Sequence, residues 1–140
     1  MGTLLVGLLG CVALVGCATA TTLDDTRMKA PDRVVTDVLD YPFERVYASA
    51  RLACLDLDLT IEKEDPVEGK IYAKSAPNLA KVAIYRTGFG ESVGVYVTSL
   101  DPQRTQVEVA TQKSNRLEVG YRDYRKAIAK LIRARLEGLP

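Results

Sequence analysis

Three cysteines, Cys11, Cys17 and Cys54, are the residues whose type is best suited to chemistry. A thiol can be acylated, be oxidised or bind a metal, and its surroundings decide which. Cys54 falls in PFERVYASARLACLDL, where Phe43, Val46, Tyr47, Ala50, Cys54 and Leu57 recur at helical spacing. That stripe predicts an inward-facing thiol. Asp56 and Asp58 lie close by, and both carboxylates and apolar burial raise a thiol's pKa, the opposite of activation. The chain has no histidine, the side chain most used for proton transfer near neutral pH and for holding metals. The acidic run Asp56, Asp58, Glu62, Glu64, Asp65 and Glu68 lacks the ligand offsets and central glycine of a calcium loop. Strand alternation puts Glu62 and Glu64 on a wet face, so the run reads as a solvated edge. Gly88-Phe89-Gly90 is followed by no helix carrying Lys-Ser/Thr and reads as a hairpin, not a phosphate loop. No catalytic group, metal or cofactor is expected, and on this reading the chain is not an enzyme.

Cys17 closes a different pattern. Residues 1–20 carry no charge, and the dense apolar stretch Leu4 to Val15 has the length of a secretion-signal core. Gly7, Gly10 and Gly16 weaken a spanning helix. The stretch ends in Leu14-Val15-Gly16-Cys17, which resembles the lipobox of bacterial lipoproteins. The resemblance implies a diacylglyceryl group on the Cys17 thiol, cleavage before Cys17 and, in many bacteria, a further acyl chain such as palmitate on the new amino group. Membrane lipid is then one partner, reached through acylated Cys17. Ala18 rather than Asp follows, so the expected address is the periplasmic leaflet of the outer membrane where the host has one. No Lys or Arg precedes the apolar stretch, and a plain membrane anchor is the alternative. With Cys17 acylated and Cys11 removed, Cys54 alone keeps a free thiol and the domain folds without a disulfide.

The organisation that follows is a signal peptide at 1–16, the lipidated cysteine and a flexible tether at 17–32, and one domain at 33–140. Residues 18–32, ATATTLDDTRMKAPD, have no apolar periodicity, and fifteen such residues reach roughly 20 Å. A strand is expected in VVTDVLDY, then a helix entered at Pro42. Strands follow through Leu57-Ile61, KIYAKSA, AKVAIYR, SVGVYVTSL and TQVEVAT, with turns at EDPVEG, at Thr87–Glu91 and at LDPQRT. A last helix spans Glu118–Leu136, its apolar side made of Tyr121, Tyr124, Ile128, Leu131 and Ile132. The predicted order is β-α-β-β-β-β-β-α. Clean alternation gives one buried and one wet sheet face. The fold class is therefore α+β, a two-layer sandwich of a mainly antiparallel sheet with two helices packed on one face.

Candidate binding residues lie on that wet face and on the last helix. Tyr72, Tyr85 and Tyr96 each sit one place off the Val/Ile register of their strands, among Lys70, Lys74 and Lys81, and so are expected in water. A tyrosine interface and ordinary cross-strand ring packing both fit. Phe89 is expected at a hairpin tip, within reach of a partner or the bilayer. Arg122, Arg125, Lys126, Lys130 and Arg133 make a basic side on the last helix, for an acidic partner or simply for solvent. Net charge is +1, which argues against gathering nucleic acid. Residues 1–115 hold 12 Lys/Arg against 15 Asp/Glu, whereas residues 116–140 hold 7 against 3.

The element order, with Asp40-Tyr41-Pro42-Phe43-Glu44-Arg45-Val46-Tyr47 opening the first helix, resembles small bacterial lipoproteins with BamC-like helix-grip domains. Asp65 to Gly69 before Lys70-Ile71-Tyr72-Ala73, and the strand-turn-strand Val93 to Val109, are further similar cues. The resemblance spans most of 33–136 and implies a helix-grip fold and a protein-binding or structural role in the envelope. BamC itself has two such domains and a long N-terminal segment, so its own role is not implied. The expected function is a membrane-anchored, non-catalytic envelope module facing the periplasm. The alternative is a binder of a small apolar or amphipathic ligand in the groove between helix and sheet.

Overall fold

The computed structural model describes residues 23–25, 27, 33–77, 79, 90–112 and 123–138. Among them the elements are β1 (Val34–Leu39), α1 (Phe43–Asp56), β2 (Thr60–Asp65), β3 (Lys70–Lys74), β4 (Ser92–Asp101), β5 (Arg104–Gln112) and α2 (Arg125–Leu136). The expected strand in AKVAIYR and the first residues of the expected last helix lie outside the described residues.

The five strands form one sheet in the order β1-β5-β4-β3-β2, every neighbouring pair antiparallel. β2 to β5 run as a meander, while α1 carries the chain from the β1 edge to the β2 edge. Both helices pack on one face and against each other, α1 over β4, β5 and β2, and α2 over β1 and β5. The domain is an α+β two-layer sandwich, as alternation in the strands predicts.

The helix side of the sheet is built from Ile71, Ala73, Val93, Val95, Val97, Val107 and Val109. Val46, Tyr47, Ala50, Ala53 and Cys54 of α1 and Ile128, Ile132 and Leu136 of α2 close over it. α1 begins where its sequence allows. Pro42 stands at the N-cap with φ −67°, and its carbonyl accepts from the amides of Arg45 and Val46 at 3.1 and 3.2 Å. α1 ends in a left-handed turn at Asp58 (φ 57°), where the Leu59 amide donates back to the Cys54 carbonyl at 3.1 Å. The Thr105 hydroxyl donates to the Tyr41 carbonyl at 2.8 Å and pins the corner between β1 and α1.

The β2–β3 turn is held by Asp65, whose carboxylate accepts from the Val67 and Glu68 amides, both at 3.0 Å. Gly69 (φ +68°) then lets the backbone pass the Val97 carbonyl so closely that a Cβ would lie 2.0 Å from that oxygen. One expectation needs correction here. Glu64 is exposed, as expected, but on the helix side of the sheet and not on the opposite face. A register shift between Ile61 and Lys63 turns the strand over, so Glu64 sits opposite Ile71 and meets Arg51 of α1 at 3.0 Å.

Candidate functional site

The sheet face away from the helices is where the structure gathers its polar chemistry. Residues directly opposite one another share a face, so two rows can be read across it. One row runs Tyr72, Gly94, Ala110, Val34, and the next runs Lys70, Tyr96, Glu108, Thr36. Ala110, a small side chain, leaves a shallow recess beside Tyr72, Tyr96 and Val34. The Tyr96 ring leans over Gly94, where a Cβ would come within 2.8 Å of the phenol oxygen.

A segment from the N-terminal side fills this recess. Leu23, Asp24, Asp25 and Arg27 are helical, and Leu23 is wholly buried in a second apolar cluster with Tyr72, Tyr96 and Ala110, flanked by Val34. Helical spacing sets Leu23 and Arg27 on one side. Arg27 Nε donates to Glu108 Oε2 at 2.7 Å, and its guanidinium lies 4.6 Å from the Tyr96 ring centroid. The Tyr72 hydroxyl donates to Asp24 Oδ1 at 2.9 Å, and the two tyrosine rings meet edge-on with centroids 6.2 Å apart. The Tyr96 hydroxyl is buried and faces the Asp24 carboxylate. Burial first, and the Asp24 carboxylate second, push both phenols above the ordinary tyrosine value, so both stay neutral at physiological pH.

Three contacts hold this segment, and the cost of ordering its backbone opposes them. Burying Leu23 contributes about 1.5–3 kcal/mol, and the hydrogen bond to ionised Asp24 about 1.5–3 kcal/mol. The guanidinium over the Tyr96 ring adds about 0.5–2 kcal/mol. Ordering the backbone costs about 1–2 kcal/mol for each residue fixed.

Two expectations meet this geometry directly. Tyr72 and Tyr96 are on the face opposite the Val/Ile residues, as their one-residue offset requires. They are not in water, however, being 6 % and 2 % exposed. The reason is the segment expected to be a free tether, which supplies Leu23, Asp24 and Arg27 as their cover. Lys70 is partly buried and pairs with Glu68 at 2.7 Å. Tyr85, Phe89, Arg122 and Cys17 lie outside the described residues. Lys126 and Lys130 are exposed on α2, as expected. Its arginines are engaged: Arg133 with Asp37 at 2.6 Å, Arg135 with Asp56, and Arg125 with Asp123 at 2.8 Å.

Leu23, Asp24, Arg27 and Glu108 are the site residues that sequence reasoning missed. A usable signal existed, in a leucine and an arginine four apart within a polar stretch, and in Gly94 and Ala110 where a wet face would carry larger polar residues. Cys54 belongs to the other face. It is fully buried, and burial pushes its thiol up to about 12. Among the described residues no group of His, Cys, Asp and Glu is placed to hold a metal, and no helix is long and apolar enough to cross a membrane.

No protein-family model and no curated protein matches the chain. Among solved structures it is similar to the Zhui aromatase/cyclase from Streptomyces sp. R1128, at 16% identity and a TM-score of 0.41, covering 75% of this chain and 83% of that one. That protein is an enzyme, which corrects the expectation that this chain is not one, while a likeness of this degree carries no activity across.

Proposed function

We propose that the chain is a bacterial envelope lipoprotein, held on a membrane through acyl chains on Cys17, with its α+β domain facing the periplasm as an interaction module. The observation that carries this reading is the sequence itself. An uncharged apolar stretch of signal length runs directly into Leu14-Val15-Gly16-Cys17. Two or three acyl chains give durable anchoring where one gives marginal binding. Ala18 after the cysteine favours the outer membrane in hosts that have one. The helix-grip resemblance fits a domain that docks an envelope protein.

Mass spectrometry of protein extracted from membranes tests the reading. A diacyl or triacyl Cys17 at the mature N-terminus is expected, and Cys17→Ala should release or mis-process the protein. An intact Met1 in the membrane-bound form would reject it. Fractionation that finds the protein only in the inner membrane would reject the outer-membrane assignment alone.

A further inference from the structure

We infer that the outer face of the sheet is the docking site for the chain's own membrane-proximal segment, and that docking sets how far the domain stands from the bilayer. The inference rests on the acyl anchor proposed at Cys17. Six residue steps separate Cys17 from Leu23, at most about 20 Å at full extension. If Leu23 leaves its recess, the first residue held by the sheet is Val34 in β1, seventeen steps from Cys17. The greatest span then becomes about 60 Å. Docking therefore shortens the leash about threefold, and it does so on one face of the sheet.

The contacts are those of a binding site rather than of a core. Leu23 packs among Tyr72, Tyr96 and Ala110, apart from the helix-packed cluster. Opposite charges on the segment are met separately, Asp24 by the Tyr72 hydroxyl and Arg27 by Glu108 and the Tyr96 ring. With the segment docked, the tyrosine face is turned toward its own anchor. Released, the domain gains reach and uncovers both rings together.

The test uses full-length protein purified from membranes and reconstituted in phosphatidylcholine vesicles containing a lipid-phase acceptor dye. A donor dye goes on Gln103→Cys, at the exposed β4–β5 turn, with Cys54 protected by burial. Leu23→Glu should lower energy transfer to the bilayer at least twofold, whereas Val67→Glu, on the exposed β2–β3 turn, should leave it unchanged. Alkaline titration followed by tyrosine absorbance gives a readout independent of the anchor. Tyr47, Tyr72 and Tyr96 resist ionisation in the parent protein, and Tyr72 and Tyr96 should titrate normally in Leu23→Glu while Tyr47, under the helices, stays resistant. If that variant loses its fold by circular dichroism, the pair Asp24→Asn with Arg27→Ala replaces it. Acylated, folded variant that transfers energy like the parent overturns the reach-setting role, and unchanged tyrosine titration overturns docking itself. Absence of acyl chains on Cys17 overturns the anchor reading and the reach with it, while the titration still reports whether the segment docks.

Discussion

Burial lifts the Cys54 thiol from its ordinary 9.0 to about 12, and the consequence is a stability that depends on pH in a definite direction. A group whose folded pKa is raised contributes stability that is complete below the unfolded value and is lost as pH rises through the folded one. For Cys54 that window runs from about 9 to about 12, with a slope of up to about 1.4 kcal/mol per pH unit. Cys54→Ala removes a buried sulfur and should cost about 1 kcal/mol at pH 7. It also removes the titrating group. The variant should therefore be less stable than the parent at neutral pH and should overtake it near pH 10, as urea unfolding at a series of pH values would show. Maleimide should label native Cys54 slowly and denatured Cys54 fast. Rapid native labelling would mean that the thiol is reachable and that the core around α1 opens.

At Gly69 the β2–β3 turn brings backbone against backbone. A side chain at this position meets both a positive φ and the Val97 carbonyl, which accepts no displacement without moving β4. Gly69→Ala should cost roughly 1–3 kcal/mol, measured as a lower urea midpoint with an unchanged slope. A neutral result would mean that the turn relaxes freely. Asp58 offers the opposite case. Its left-handed backbone at the end of α1 favours glycine, so Asp58→Gly should raise stability by roughly 0.5–1 kcal/mol, seen as a higher melting temperature. Much of this level was legible in advance. Pro42 marks the start of α1, Asp65 to Gly69 mark the turn, and alternating valines mark the buried face, because each is a local signal. The register shift in β2 was not legible, since which residue bulges depends on β3 and on Arg51 across the layer. Leu23 was hidden for the same reason. Its neighbours Asp24 and Arg27 find partners 48 and 81 positions away, so Leu23 and Arg27, four apart, announce a face but not what that face meets.

At the scale of the whole molecule, a net charge of +1 gives no general field, so any electrostatic recognition has to come from local imbalance. The ion pairs show where the imbalance survives. Arginines of α2 are committed to seams between elements, Arg133 to Asp37 of β1 and Arg135 to Asp56 at the end of α1. Such exposed pairs contribute about 0–1 kcal/mol each to stability and leave little positive charge for a partner. Lys126 and Lys130 are different: both are exposed, four residues apart on one side of α2, and the two helices already cover the buried sheet face beneath them. If an acidic envelope protein docks on this domain, these lysines are the charges it meets first. Lys126→Glu with Lys130→Glu should therefore reduce co-purification of that partner at least fivefold in low salt. The loss should shrink as ionic strength rises, because the Debye length falls from about 10 Å at 0.1 M to about 3 Å at 1 M. The same double variant should shift stability by no more than about 0.5 kcal/mol, since neither side chain packs in the core. Undiminished co-purification with a correctly folded double variant would remove α2 from the interaction surface and return attention to the tyrosine face uncovered when Leu23 leaves its recess.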